Sequence, residues 1–225
     1  MKSCKKIEGK NRCSPYDGEM MKECEISQKN RCIYKKNDKN ITNHELEVKK
    51  RITFYSKSAN HKLRLLSNFS ELEIVIDGKT FPTGEHAFHS FKYRLAAENA
   101  TPERKQELEE YASKFETNGS IKPDGSSAKI AGGKSKKGFK LDENELKDWA
   151  TNSIDIQKLI CAYKIENYPE IIDILIETGD SELIHQVNRA NDKEIWGARV
   201  DKTTNELIGK NMLGKIWMDF RKNLI

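Results

Sequence analysis

Phe81-Pro82-Thr83-Gly84-Glu85-His86-Ala87-Phe88-His89-Ser90-Phe91-Lys92-Tyr93-Arg94-Leu95 is the stretch where a strand hands over to a helix. Thr83 stands where an N-cap belongs, and Phe88, Phe91 and Leu95 recur at helical steps with no interior Gly or Pro. At about 100° per residue, Glu85 and Lys92 project to the margin of that apolar stripe, with His89 beside them. A carboxylate, an imidazole and an amine therefore share one side of one helix. A carboxylate in the first turn is favoured by the helix dipole, and an amine half-sunk among apolar groups is tunable as a nucleophile. The alternative is an ordinary amphipathic helix with a solvated polar edge.

Upstream, Leu72 to Ile76, Asp77-Gly78 and Lys79 to Phe81 read as a hairpin with a type I′ turn. Before it, Ile52 to Tyr55 is a short β-type run, and the folded domain is expected to begin near Arg51. Downstream, Thr101-Pro102 starts a second helix ending near Gly119. Ser120 to Lys140 reads as a Gly- and Lys-rich loop that either receives a phosphate or is simply solvated. Helices are expected at Glu143 to Trp149, Ser153 to Tyr168 and Ile171 to Ile176. Ser181 to Val187 is a short strand or helix, and Met212 to Leu224 is the last helix, with Asn211 placed to cap it. The expected class is α+β: a mostly helical single domain with a small sheet.

The charge is unevenly placed. Of 40 Lys/Arg and 35 Asp/Glu, residues 1–50 hold 13 and 8, so the remaining 27 of each leave residues 51–225 neutral. Cys4, Cys13, Cys24 and Cys32 lie in the same segment, as does a small repeat, Lys10 to Cys13 recurring as Lys29 to Cys32. Residues 1–36 thus read as a Cys-rich basic segment and 37–50 as a linker. Four cysteines can bind zinc, but no close Cys-x-x-Cys pair occurs, which favours free thiols or conditional disulfides. A basic arm can contact nucleic acid or can be a solvated extension. No apolar run approaches the 18 or so residues of a membrane span, and no secretory leader is visible, so a soluble cytoplasmic protein is expected.

In order along residues 52–224, these segments resemble the NADAR family of N-glycosidases, also called YbiA-like. The resemblance rests on Phe54-Tyr55, Leu66-Ser67-Asn68-Phe69, Asp77-Gly78, and Pro82 to His86 continuing to Lys92. It continues through Ala128 to Gly133, Trp149, Lys164, Thr178-Gly179-Asp180, Leu183, Trp196-Gly197, and Gly209-x-Asn211-x-Leu213-Gly214-x-x-x-Met218. It implies hydrolysis of an N-glycosidic bond to ribose, in early phosphoribosyl-aminopyrimidine intermediates of riboflavin synthesis or in ADP-ribose attached to guanine. Glu85 would be the principal carboxylate, Asp192 the second acid, Trp149 a wall for base or sugar, and Lys92 a candidate amine for a Schiff base with the opened sugar. Asn68, Phe69, His89, Trp196, Asn211 and Lys134 would line the substrate. No metal or cofactor is implied. Arg51, Lys57, Lys62, Lys134 to Lys140 and Lys210 are candidates for holding phosphate.

Two departures stand out. Asp192 precedes Trp196 by four residues where the family has Asp-x-x-Trp-Gly, which leaves Lys193 at the expected spacing. The family's acidic residue after Leu-Val is here His185. They motivate a second reading, a module that binds ADP-ribose without cleaving it; the basic arm motivates a third, a nucleic-acid adaptor.

Overall fold

Two units, residues 1–48 and 49–225, divide the computed structural model. The structure describes residues 50–133 and 139–224, with the backbone of four short strands in the first unit. These strands, β1 (Cys4–Ile7), β2 (Lys10–Cys13), β3 (Lys22–Ile26) and β4 (Cys32–Tyr34), pair antiparallel in sequence order, with Cys4 opposite Cys13 and Ile26 opposite Cys32. The first copy of the repeat forms β2, whereas only Cys32 of the second copy enters a strand. Zinc or thiol chemistry and nucleic-acid contact of this segment depend on side chains outside the described residues.

The second unit opens with β5 (Arg51–Phe54), which pairs in parallel with β8 (Glu182–His185), Phe54 opposite His185. Next come β6 (Ile74–Ile76) and β7 (Lys79–Phe81), joined through Asp77 and Gly78 at φ of 52° and 71°. Positive φ at both central residues is the type I′ geometry that the Asp-Gly pair favours. The hairpin delivers α1 (Gly84–Glu98), whose Thr83 hydroxyl accepts the His86 N–H as an N-cap.

Helix α1 packs against α2 (Pro102–Ser113), α3 (Gly125–Gly132) and α4 (Glu143–Asn167). The stripe expected from sequence is only part of its buried surface. Phe88 and Phe91 join Ile74, Phe81, Ile156 and Ile160 in one cluster, while Tyr93, Ala96 and Ala97 join Leu108, Phe115 and Ala128 in another. His86, His89 and Ser90 are buried as well, so α1 is a central helix rather than an amphipathic surface one.

Two expectations are corrected. The Gly- and Lys-rich loop contains α3, whose start is capped by the Asp124 carboxylate accepting the Ser127 N–H; glycines at both ends of this eight-residue helix disguise it. The two helices expected between Glu143 and Tyr168 are one, because Thr151 and Asn152 turn their side chains back to the carbonyls of Lys147 and Asp148 and do not interrupt the ladder. The chain then forms α5 (Pro169–Glu177), β8, the two-residue strands β9 (Arg199–Val200) and β10 (Leu207–Ile208), and α6 (Met212–Lys222). A third cluster, around Phe54, Leu66, Leu183 and Trp217, joins β5, β8 and α6. No described helix is long and apolar enough to cross a membrane.

Candidate active site

The site is built from the loop that precedes the hairpin. Lys164 on α4 is fully buried, and its ammonium donates to Leu65 O (3.0 Å), Ser67 O (2.8 Å) and the Ser70 hydroxyl (2.8 Å). Burial brings its pKa down to about 8. The loop so held directs the Asn68 carbonyl at the Glu85 N–H, 2.9 Å away, which satisfies a first-turn donor that has no partner within α1. The Asn68 side chain pairs reciprocally with Gln157 at 2.7 and 3.0 Å. Asn68, expected to line the substrate, is thus committed to positioning Glu85.

Glu85 and His89 lie one turn apart, with side chains 13% and 10% exposed. The His89 Nε2 to Glu85 Oε1 separation is 3.3 Å, close enough for an ion pair, yet the geometry is not that of a hydrogen bond, and neither ring nitrogen of His89 has a hydrogen-bond partner among the described residues. A buried imidazole left without partners is costly to the fold. Its ring is held by backbone: a Cβ on Gly132 would come within 2.1 Å of it, so α3 approaches this closely only with glycine there. Lys92 donates its Nζ to the Gly132 carbonyl at 2.8 Å, and that nitrogen stands 5.3 Å from the Tyr93 ring centre. Glu85, His89, Lys92 and the end of α3 therefore meet.

An aromatic wall stands beside them. Phe88 takes Trp149 and Trp196 edge-on, with ring centres at 4.6 and 5.1 Å, and both indoles are half-buried. Trp149 lies in the second turn of the long α4 rather than at the end of a short helix. The Trp196 carbonyl lies 3.2 Å from Nδ1 of His185, and the Glu194 carboxylate accepts the N–H groups of Trp196 and Gly197 at 3.0 and 3.2 Å. Lys129 on α3 stands over Phe69, 5.6 Å from the ring centre. Burial pushes the His185 pKa below its ordinary value, opposed by its hydrogen bond to Trp196 and by the Glu85 carboxylate. Glu85, Lys129 and Glu194 thus all lie within electrostatic reach of His185.

Other expected site residues are placed elsewhere. Asp192 is exposed, and the carboxylate that ties into the Trp196-Gly197 corner is Glu194 instead. The Asn211 side chain does not cap α6: its Oδ1 accepts the His185 N–H at 2.9 Å and its Nδ2 donates to Leu183 O at 2.8 Å, so it joins the helix start to β8. Arg51 is engaged by Glu182 and Asn205, and Lys62 is paired with Glu177 at 2.6 Å. Lys57 and Lys210 are exposed. Lys134 lies outside the described residues. Sequence reading placed Lys129 and Gly132 only within the Gly- and Lys-rich segment that could receive a phosphate, and did not single out Glu194, whose one available signal was an acid two residues before Trp196. Among the described residues no three His, Cys, Asp or Glu side chains converge as metal ligands.

The profile of the NADAR domain matches residues 53–225. Among solved structures, the chain is similar to the NMR structure of the E. coli protein YbiA, at 24% identity and a TM-score of 0.48, over 78% of this chain and 85% of that one. A likeness at that level adds nothing to the reading of the site. No curated protein matches.

Proposed function

The chain belongs to the NADAR domain family, and from that premise we propose that it is an N-glycosidase cleaving the bond between C1 of a ribose and a base nitrogen. The sugar would carry a phosphate, as in a phosphoribosyl-aminopyrimidine, or an ADP group, as in ADP-ribosylated guanine. The observation that carries this reading is the pairing of a shielded carboxylate, Glu85, with a buried imidazole 3.3 Å away that has no hydrogen-bond partner among the described residues. Unsatisfied polar groups beside a carboxylate are what a site looks like when its hydrogen bonds are completed by substrate.

Breaking the C1–N bond leaves positive charge on C1 and the electron pair on the departing nitrogen. The Glu85 carboxylate stabilises that charge in this reading and takes a proton from the water that attacks C1. His89, beside it, supplies in this reading the proton the leaving nitrogen takes up. Trp149, Phe88 and Trp196 offer faces and edges for the base, and Lys129 offers a cation for phosphate. Lys92 gives a second route: its amine adds to C1 of the opened sugar, the base leaves, and water hydrolyses the resulting imine. The exposed Asp192 supports a runner-up, a module that binds ADP-ribose without cleaving it.

The test is mass-spectrometric detection of free ribose phosphate or ADP-ribose from both substrate types, with Glu85→Gln as control. Release that disappears in the variant supports the glycosidase, and a borohydride-trapped adduct on Lys92 would select the imine route. Binding of ADP-ribose with no release from either substrate would favour the module.

A further inference from the structure

Within the glycosidase reading, His185 is the residue whose chemistry is left over. Its ring is fixed from two directions and its main chain from a third. Phe54 of β5 stacks on it, with centres 5.4 Å apart and planes at 28°. Its main-chain N–H is held by Asn211, and its Nδ1 lies 3.2 Å from the Trp196 carbonyl oxygen. A carbonyl only accepts, so this contact assigns the ring proton to Nδ1 and leaves Nε2 with a bare lone pair. No described residue bonds that nitrogen. The charged groups that act on the ring are Glu85 from α1, Lys129 from α3 and Glu194 from the loop before β9; burial outweighs the two carboxylates and favours the neutral imidazole. Neutral His185, joined through Trp196 to the aromatic wall beside Glu85, thus has one acceptor and no further donor.

We propose that His185 is the specificity-determining residue of this site: its Nε2 accepts a hydrogen bond from a ring N–H of the leaving base, selecting oxo-type purines and pyrimidines in which that N–H stands beside a carbonyl. An acidic side chain at this position would accept the same bond but would put a second anion next to Glu85, whose charge the reaction uses. The neutral imidazole reads the donor without that repulsion. A base methylated on the ring nitrogen would offer no donor to that lone pair and would press its methyl group against it, and would be rejected.

The experiment uses the full chain carrying Glu85→Gln, so that binding is measured without turnover. The probes are guanosine 5′-monophosphate and its N1-methyl derivative, titrated by calorimetry, with His185→Phe and His185→Leu as second-site variants. Methylation is expected to weaken binding about 10- to 100-fold when His185 is present and by less than about twofold in either variant. Nitrogen-15 NMR should show His185 Nε2 as a bare acceptor in the free protein, shifting toward the hydrogen-bonded value with the unmethylated nucleotide alone. An equal methylation penalty with and without His185, an Nε2 that does not respond, or failure of both nucleotides to bind would overturn the assignment. The glycosidase reading fails separately. Methyl discrimination without any glycoside cleavage would refute that reading and leave His185 its role, whereas cleavage without discrimination would do the reverse.

Discussion

Two polar clusters sit in the interior of this domain, and they are built on opposite plans. Around Lys164 every ammonium proton has an acceptor, and the groups that accept belong to one loop. Around Glu85 the nearest imidazole has no hydrogen-bond partner among the described residues, and a second imidazole, His185, keeps a nitrogen free. A satisfied buried cluster fixes a conformation, whereas an unsatisfied one is a cost to the fold that a ligand can remove. The clusters are also connected, because the loop held by Lys164 places the Asn68 carbonyl on the Glu85 N–H. The satisfied cluster orders the unsatisfied one.

Substitutions in the two clusters should therefore separate activity from stability. Glu85→Gln should lower turnover about 10²- to 10³-fold while the melting temperature stays within a few degrees, since the first-turn N–H bond is made by the main chain. Loss of folding in this variant would break the comparison. Lys164→Met should do the opposite, destabilising by about 2 kcal/mol through the acceptors it strands, with activity falling only as folded protein is lost; denaturant unfolding beside a specific-activity measurement checks it.

The same lysine gives a pH signature. Its folded pKa is about 8 against 10.5 for the free side chain, so between those values the unfolded chain holds the extra proton and the contribution of this group to stability rises with pH. That rising limb should be present in the parent protein and missing in Lys164→Met. The smallest expected stability effect is that of His89→Leu. Removing a buried imidazole that makes no hydrogen bond among the described residues should leave stability unchanged or raise it by up to about 1 kcal/mol, while turnover falls about 10²-fold. A destabilised His89→Leu protein would mean that His89 serves packing, and would sharpen attention on His185.

The sequence by itself determined the local elements that carry their own signals. Asp77-Gly78 specified the hairpin turn, Thr83 and Thr101-Pro102 specified two helix starts, and the spacing of Glu85, His89 and Lys92 specified one shared helical side. These follow from backbone preferences within a few residues of chain. Helix α3 and the continuity of α4 were not legible, because glycines at the ends of α3 and Thr151-Asn152 within α4 carry turn-like propensities that side-chain hydrogen bonds override. Only the tertiary structure decided that Asn68 and Asn211 spend their amides on Gln157 and β8, that Gly132 lets α3 close onto His89, and that Glu85 and Lys129 come within electrostatic reach of His185 from helices far from it in the chain. Which polar group is paired and which is left open depends on partners that are neighbours in space and not in sequence, and that difference defines the site.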